Sequence, residues 1–166
     1  MKPTCLALLG AALFPILPGC IANPTALAPV GPGIQGRAYS GADGYLQVFT
    51  ATTTVDVDFH SYFNPHLAYD VKDLAGKTVR FVANHDSEMD ETPDTVSLPP
   101  GTYRVVAESA WCGLVSVPVT IERGRTTVVH LDGNPWRPPH ATASELVYLP
   151  NGEAVGWSDA STSASK

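Results

Sequence analysis

Three histidines, His60, His66 and His85, lie in the middle of the chain among Asp56, Asp58, Asp86, Glu88 and Asp90. Imidazole nitrogens and carboxylate oxygens are ligands for zinc, copper or calcium. Their spacing matches no recognised motif, and residues 85–94 lack the glycine that an EF-hand loop carries after its third acid. These groups are therefore expected to be solvated loop acids and surface histidines, with no metal and no cofactor. Cys112, or a serine beside His and Asp, is the candidate nucleophile. No Gly-x-Ser-x-Gly elbow exists, and no basic residue near Cys112 in sequence would lower its pKa. The chain is not expected to be an enzyme. Tyr62, Phe63, Trp111, Trp136 and Trp157 fall in loops or near the C-terminus, where aromatic rings either stack on ligands or pack on a rim. An isopeptide bond from Lys72 or Lys77 to Asn134 has no local motif behind it.

The N-terminus carries chemistry of another kind. Met1-Lys2-Pro3-Thr4 precedes an apolar run ending in Leu17-Pro18-Gly19-Cys20. A charged start followed by an apolar stretch of roughly a dozen residues is an export signal, and it is too short for a membrane-spanning helix. The closing residues resemble the lipobox of bacterial lipoproteins. The resemblance implies removal of residues 1–19, diacylglycerol on the Cys20 sulfur and acylation of its amine, with Pro18 departing from the usual Ala, Ser or Val. Ile21 stands where an Asp would resemble an inner-membrane retention signal, so delivery to the outer membrane or periplasmic face is implied. The alternative is cleavage after Ala22, with Cys20 and Ala22 as the small residues read by signal peptidase, which gives a secreted protein.

The chain has three cysteines. With Cys5 removed and Cys20 acylated, Cys112 is left alone, expected as a half-buried small residue in a turn and with no intramolecular disulfide. Without lipid on Cys20, a bridge from Cys20 to Cys112 stays open. The formal charge is −6 over 166 residues, and the basic residues are scattered singly. That excludes a nucleic-acid footprint, which needs clustered Lys and Arg, and a polybasic second membrane signal.

The elements that would position these residues read as strands. Residues 20–43 are rich in Pro, Gly and Ala without alternation, which predicts a flexible tether. Period-two patterning starts at Tyr45 and continues through Leu46-Gln47-Val48-Phe49. Residues 67–71 and 79–83 form a predicted hairpin around Asp73-Leu74-Ala75-Gly76, and further strands follow at 95–98, 103–107, 115–121 and 127–131. Pro118 must point outward or mark an edge, because it lacks a backbone donor. About seven short strands over residues 44–133 predict an all-β, Greek-key β-sandwich. Residues 134–157 are a proline-rich connector and a C-terminal hairpin turning at Pro150-Asn151-Gly152, and residues 158–166 a disordered tail.

Several segments carry a family resemblance. Tyr69-Asp70-Val71-Lys72-Asp73, Gly76-Lys77-Thr78-Val79, Leu98-Pro99-Pro100-Gly101-Thr102-Tyr103-Arg104-Val105, Val117-Pro118-Val119-Thr120-Ile121 and Gly124-Arg125-Thr126-Thr127-Val128-Val129 look like the carboxypeptidase regulatory-like, transthyretin-type domain. The resemblance covers residues 67–132 and implies a transthyretin-like sandwich with no catalytic centre of its own. Leu98, Gly101 and Tyr103 also resemble the tyrosine corner of Greek-key proteins, in which the phenol folds back onto the backbone upstream. The function implied is an envelope lipoprotein, bound to the membrane by its lipid, whose sandwich binds or spaces a protein or glycan partner and no nucleic acid. The alternatives are a secreted carbohydrate- or metal-binding module and a small hydrolase.

Overall fold

The computed structural model describes residues 25–26, 28–33, 40–58, 60–136, 138 and 141–159. Among them the strands are β1 (Val30–Gly31), β2 (Gly44–Phe49), β3 (Val55–Asp58), β4 (Ser61–Phe63), β5 (Tyr69–Lys72), β6 (Thr78–Val82), β7 (Thr95–Leu98), β8 (Gly101–Ser109), β9 (Gly113–Ile121), β10 (Thr126–His130), β11 (Leu146–Tyr148) and β12 (Ala154–Ser158). A seven-stranded sheet runs in the order β11-β12-β1-β9-β8-β5-β6, and a three-stranded sheet in the order β10-β2-β7. The two pack face to face as an all-β sandwich, with β3 and β4 forming a separate two-stranded ribbon.

Alternation in the sequence becomes alternation in burial. Along β2, Gly44, Leu46 and Val48 are buried while Tyr45, Gln47 and Phe49 are partly exposed; along β9, Val115, Val117, Val119 and Ile121 point inward. Each fully buried Val or Leu contributes about 1.5 to 3 kcal/mol, and these residues form one contiguous core with Val71, Val105 and Val129. In β6 the alternation is lost: Thr78 to Phe81 are all exposed and only Val82 is buried. Val79 and Phe81 are 45% and 67% exposed, because β6 is the outermost strand of its sheet.

The tether expected over residues 20–43 does not hold for residues 28–33. Val30 is fully buried and pairs antiparallel with Ser158 and in parallel with Val119, so β1 fills the space between β12 and β9. The Arg125 guanidinium donates to the Pro32 and Gly33 carbonyls at 3.2 and 3.0 Å. Proline and glycine had hidden this strand, since a two-residue element shows no periodicity; burial of one valine and capture of nearby carbonyls hold it instead. Farther upstream, Ala26 N–H donates to the Ser116 carbonyl at 3.0 Å, and Thr25 bridges Ser116 in parallel. Pro118 lies between the β9 residues that pair on this side, Ser116 and Val119, and opposite Arg104 of β8; β9 is flanked on both sides, so Pro118 does not mark an edge strand.

The C-terminal hairpin is likewise part of the main sheet. Asn151 and Gly152 turn β11 into β12, with Gly152 at φ +87°, and Val147, Leu149 and Val155 enter the core. The disordered tail expected from residue 158 does not hold for Ser158 and Asp159. Ser158 is buried in β12, and the Asp159 carboxylate accepts from the Thr120 hydroxyl at 3.0 Å. Residues 1–19, where a signal is expected, Cys20 and residues 160–166 lie outside the described residues.

Candidate functional site

A column of aromatic rings joins the two sheets at one side of the sandwich. Phe49 and His130 pair directly across β2 and β10 and stack with centroids 4.8 Å apart. His130 stacks in turn on Trp136 at 4.4 Å, and Trp136 meets Trp157 of β12 edge to face at 6.0 Å. His66 closes the other end, edge-on to Phe49 at 5.5 Å. Burial inside this column pushes the His130 imidazole down to about 4, against a weaker upward pull from Asp132, so the ring is neutral at pH 7.

Beside the column is a cavity of about 360 Å³, lined by Gly133, Asn134, Pro135 and Trp136 of the connector and by Tyr148, Gly152, Glu153 and Ala154 of the hairpin. The connector reaches it through Gly133, at φ +75°, where a Cβ would collide with the Trp111 indole nitrogen and the Ala110 methyl. Trp111 donates its indole N–H to the Gly133 carbonyl at 3.3 Å. Glu153 is fixed by its own backbone, whose N–H donates to the Asn151 side chain at 3.0 Å. Burial first, and the charge of Asp132 after it, raise the Glu153 carboxyl above the ordinary glutamate range, while hydrogen bonds from the Asn151 amide and the Ser109 hydroxyl oppose them. Asp132 receives the Asn134 amide on Oδ2 at 2.6 Å, and its Oδ1 is buried with no hydrogen-bond partner. The Glu153 carboxyl thus shares the cavity wall with an indole and a phenol ring.

Of the residues singled out in the sequence, Trp136, Asn134 and Gly152 line this cavity, with Trp157 and Trp111 beside Trp136 and Gly133. Tyr62 and Phe63 lie elsewhere, on β4. His130, Asp132, Tyr148 and Glu153 were missed. His130 reads as an outward strand position and Glu153 as an ordinary hairpin residue; the available signal was the Asn-Gly turn, which brings Tyr148 and Glu153 to one end of the hairpin.

The histidines and acids of the metal reading do not converge. The His66 Nδ1 is 2.7 Å from the Thr50 carbonyl, His85 contacts the His66 carbonyl at 3.1 Å, and His60 is exposed. Among the described residues, no three His, Cys, Asp or Glu groups stand together as a metal site. Asp90 accepts from the Thr92 and Asp86 backbone N–H groups, which lower its pKa. Glu91 accepts from the Asn64 N–H at 2.6 Å, tying the acidic loop to the β3–β4 ribbon. Asp56, Asp58, Asp86 and Glu88 are exposed. The Asn134 amide donates to the Asp132 carboxylate at 2.6 Å, and Lys72 sits on β5.

The Tyr103 hydroxyl donates to the Pro99 carbonyl, four residues upstream, at 3.0 Å, which is the contact a tyrosine corner requires. Leu98 is buried beneath it and Gly101 opens β8 opposite Ile121.

Cys112 corrects the expectation of a lone small residue in a turn. It is disulfide-bonded, half-buried against the core between Trp111 and the start of β9. The sequence offers two partners, Cys5 and Cys20, and both lie outside the described residues. Among the described residues, no helix is long and apolar enough to cross a membrane. No protein-family model, curated protein or solved structure matches the chain.

Proposed function

We propose that this chain is an exported, non-catalytic binding module of the bacterial cell envelope, anchored by lipid on Cys20 at the outer membrane or periplasmic face, with its ligand site in the cavity beside Trp136. One observation carries the binding assignment: a concave site that combines aromatic walls with a partly buried carboxylate, the composition of small-ligand sites in general. A transthyretin-type, carboxypeptidase regulatory-like identity for the sandwich is part of the same proposal. The Tyr103 to Pro99 contact supports it. Export rests on the charged and apolar N-terminus, and anchoring on Leu17-Pro18-Gly19-Cys20.

The disulfide of Cys112 favours a second reading, a secreted module without lipid. A Cys20 sulfur joined to Cys112 has no valence left for diacylglycerol. The register is compatible with this competition, since Thr25, five residues after Cys20, pairs with Ser116, four residues after Cys112. Intact mass of the mature protein from its own host separates the readings. A triacylated N-terminal Cys20 with an alkylatable Cys112 supports the anchor. An unacylated Cys20 bridged to Cys112, or a chain beginning at Asn23, rejects it in favour of secretion.

A further inference from the structure

We propose that in the lipid-anchored protein the exposed side chains of Leu114 and Trp111, at the start of β9, rest on the lipid surface, so that the anchor holds the sandwich against the membrane and not clear of it. This rests on the reading that Cys20 carries the lipid and is not bridged to Cys112, and it goes beyond that reading by naming the face turned to the bilayer.

Chain length sets the first limit. Thr25 bridges Ser116 and the Ala26 N–H donates to the Ser116 carbonyl at 3.0 Å, so the chain is fixed to the sandwich from residue 25. Residues 21–24 are all that separates this point from Cys20. Five steps between successive Cα atoms reach at most about 18 Å. Diacylglycerol on the Cys20 sulfur would hold that residue where acyl chains meet headgroups, and the headgroup layer takes up about 5 to 8 Å of the reach. About 10 Å is left between Thr25 and the headgroups, no more than the spacing of two packed sheets.

The surface beside Thr25 decides what meets the lipid. Leu114 stands two residues before Ser116 on β9, about 7 Å along the strand, and is 50% exposed. Trp111, in the turn from β8 into β9, is 69% exposed, with its indole N–H donating to the Gly133 carbonyl at 3.3 Å. An indole with one polar tip and an open apolar ring suits the headgroup region, where tryptophan concentrates. Glu108, the exposed cross-strand partner of Leu114, gives the patch no basic character. Its contact with lipid is therefore apolar and needs no anionic headgroup.

Other surfaces are placed less well. Val79 and Phe81 are exposed on β6, three strands from β9 and about 14 Å across the sheet. The turn at residues 122–125 follows the far end of β9, about 26 Å along the strand from Leu114, and carries Glu122, Arg123 and Arg125. That end faces water.

The test places the native lipoprotein, its acyl groups verified by mass, in phosphatidylcholine vesicles containing a diazirine-bearing lipid. Illumination should attach lipid to peptides covering residues 110–116 and not to those covering 122–126. Vesicles with brominated acyl chains should quench the tryptophan emission of the parent, and quench that of Trp111→Phe severalfold less. Lipid attached equally to both ends, or to β6 in place of residues 110–116, overturns the proposal and leaves the anchor standing. A protein without acyl groups that stays off the vesicles overturns the anchor reading, and this inference with it. A dimer in detergent that Leu114→Asp splits, with no lipid attached at residues 110–116, assigns the patch to a second copy and also overturns the proposal. The labelling uses the unaltered chain, so it decides the question even if Trp111→Phe folds poorly.

Discussion

His130 and Trp136 lie face to face, ring centroids 4.4 Å apart and planes 17° from parallel, and this contact ties the last strand of the smaller sheet to the wall of the cavity. A charged imidazole is poorly tolerated there. Burial holds His130 at about 4, whereas the unfolded chain takes up its proton near the ordinary value of 6.5. The unfolded state therefore binds more protons between these values, and stability contributed by neutral His130 is lost as pH falls from about 6.5 toward 4, by up to roughly 3 kcal/mol. Urea unfolding at pH 7 and pH 4.5 measures the loss. His130→Phe should keep the stack and flatten the acid slope; an unchanged slope contradicts the burial argument.

Asn84 is expected to be the most sensitive polar position in the fold. It is fully buried at φ 71°, and its amide donates to the Val48 carbonyl, the Thr50 hydroxyl and the Leu67 carbonyl at 2.9, 3.2 and 3.3 Å. Its oxygen accepts from the Asp94 N–H at 3.1 Å. Asn84→Ala should cost about 2 to 4 kcal/mol, through stranded carbonyls and a backbone conformation that alanine resists. Asn84→Gly removes the second cause alone, so it should recover only part of the loss in a thermal or urea melt. Full recovery would mean that backbone strain dominates.

Tyr103→Phe should lower stability by about 0.5 to 1.5 kcal/mol. The lower part of that range is favoured because the Pro99 carbonyl it bonds is exposed and regains water when the hydroxyl is lost. A chevron or equilibrium melt with no change in midpoint would show that the corner contributes nothing.

How much of this was legible beforehand depends on length and periodicity. β2, β5, β7, β8, β9 and β10 announce themselves because Leu46, Val71, Val96, Val105, Val117 and Val129 recur at period two between Gly and Pro turns. β1 was invisible because two residues have no period, and Pro29 and Pro32 around it read as breakers. Alternation likewise does not say which face is covered, and so Phe81 is outside while Tyr69 opposite its hairpin is inside. The cavity was illegible for a related reason. Trp136 and Glu153 are seventeen positions apart in sequence and meet only because the hairpin joins the main sheet, a long-range packing result that no local pattern encodes.

Replacing Asp86, Glu88 and Asp90 by Asn or Gln should leave the melting midpoint nearly unchanged, since Asp86 and Glu88 are exposed and Asp90 bonds only its own loop. Glu91→Gln should loosen the ribbon, read as faster hydrogen exchange at Asn64, because Glu91 accepts that N–H. Elemental analysis of protein made without added metal should find none at stoichiometric level. One bound zinc, copper or calcium lost on His85→Ala would move the function toward metal binding.

Cys112→Ser, or reduction under native conditions, should cost about 2 to 4 kcal/mol if the disulfide persists in the mature chain. A denatured, unreduced sample should then show no alkylatable thiol. Ready alkylation of Cys112 would instead match a chain whose Cys20 is acylated or removed.

The most direct test of the binding assignment is a small-molecule fragment screen by amide and indole NMR on the mature protein, with shifts mapped onto the structure. The account predicts that ligands cluster on Trp136, on residues 133–135 and on the hairpin around Tyr148 and Glu153, where the cavity lies. Fragments that bind the acidic loop or the β3–β4 ribbon, with those resonances still, would contradict it.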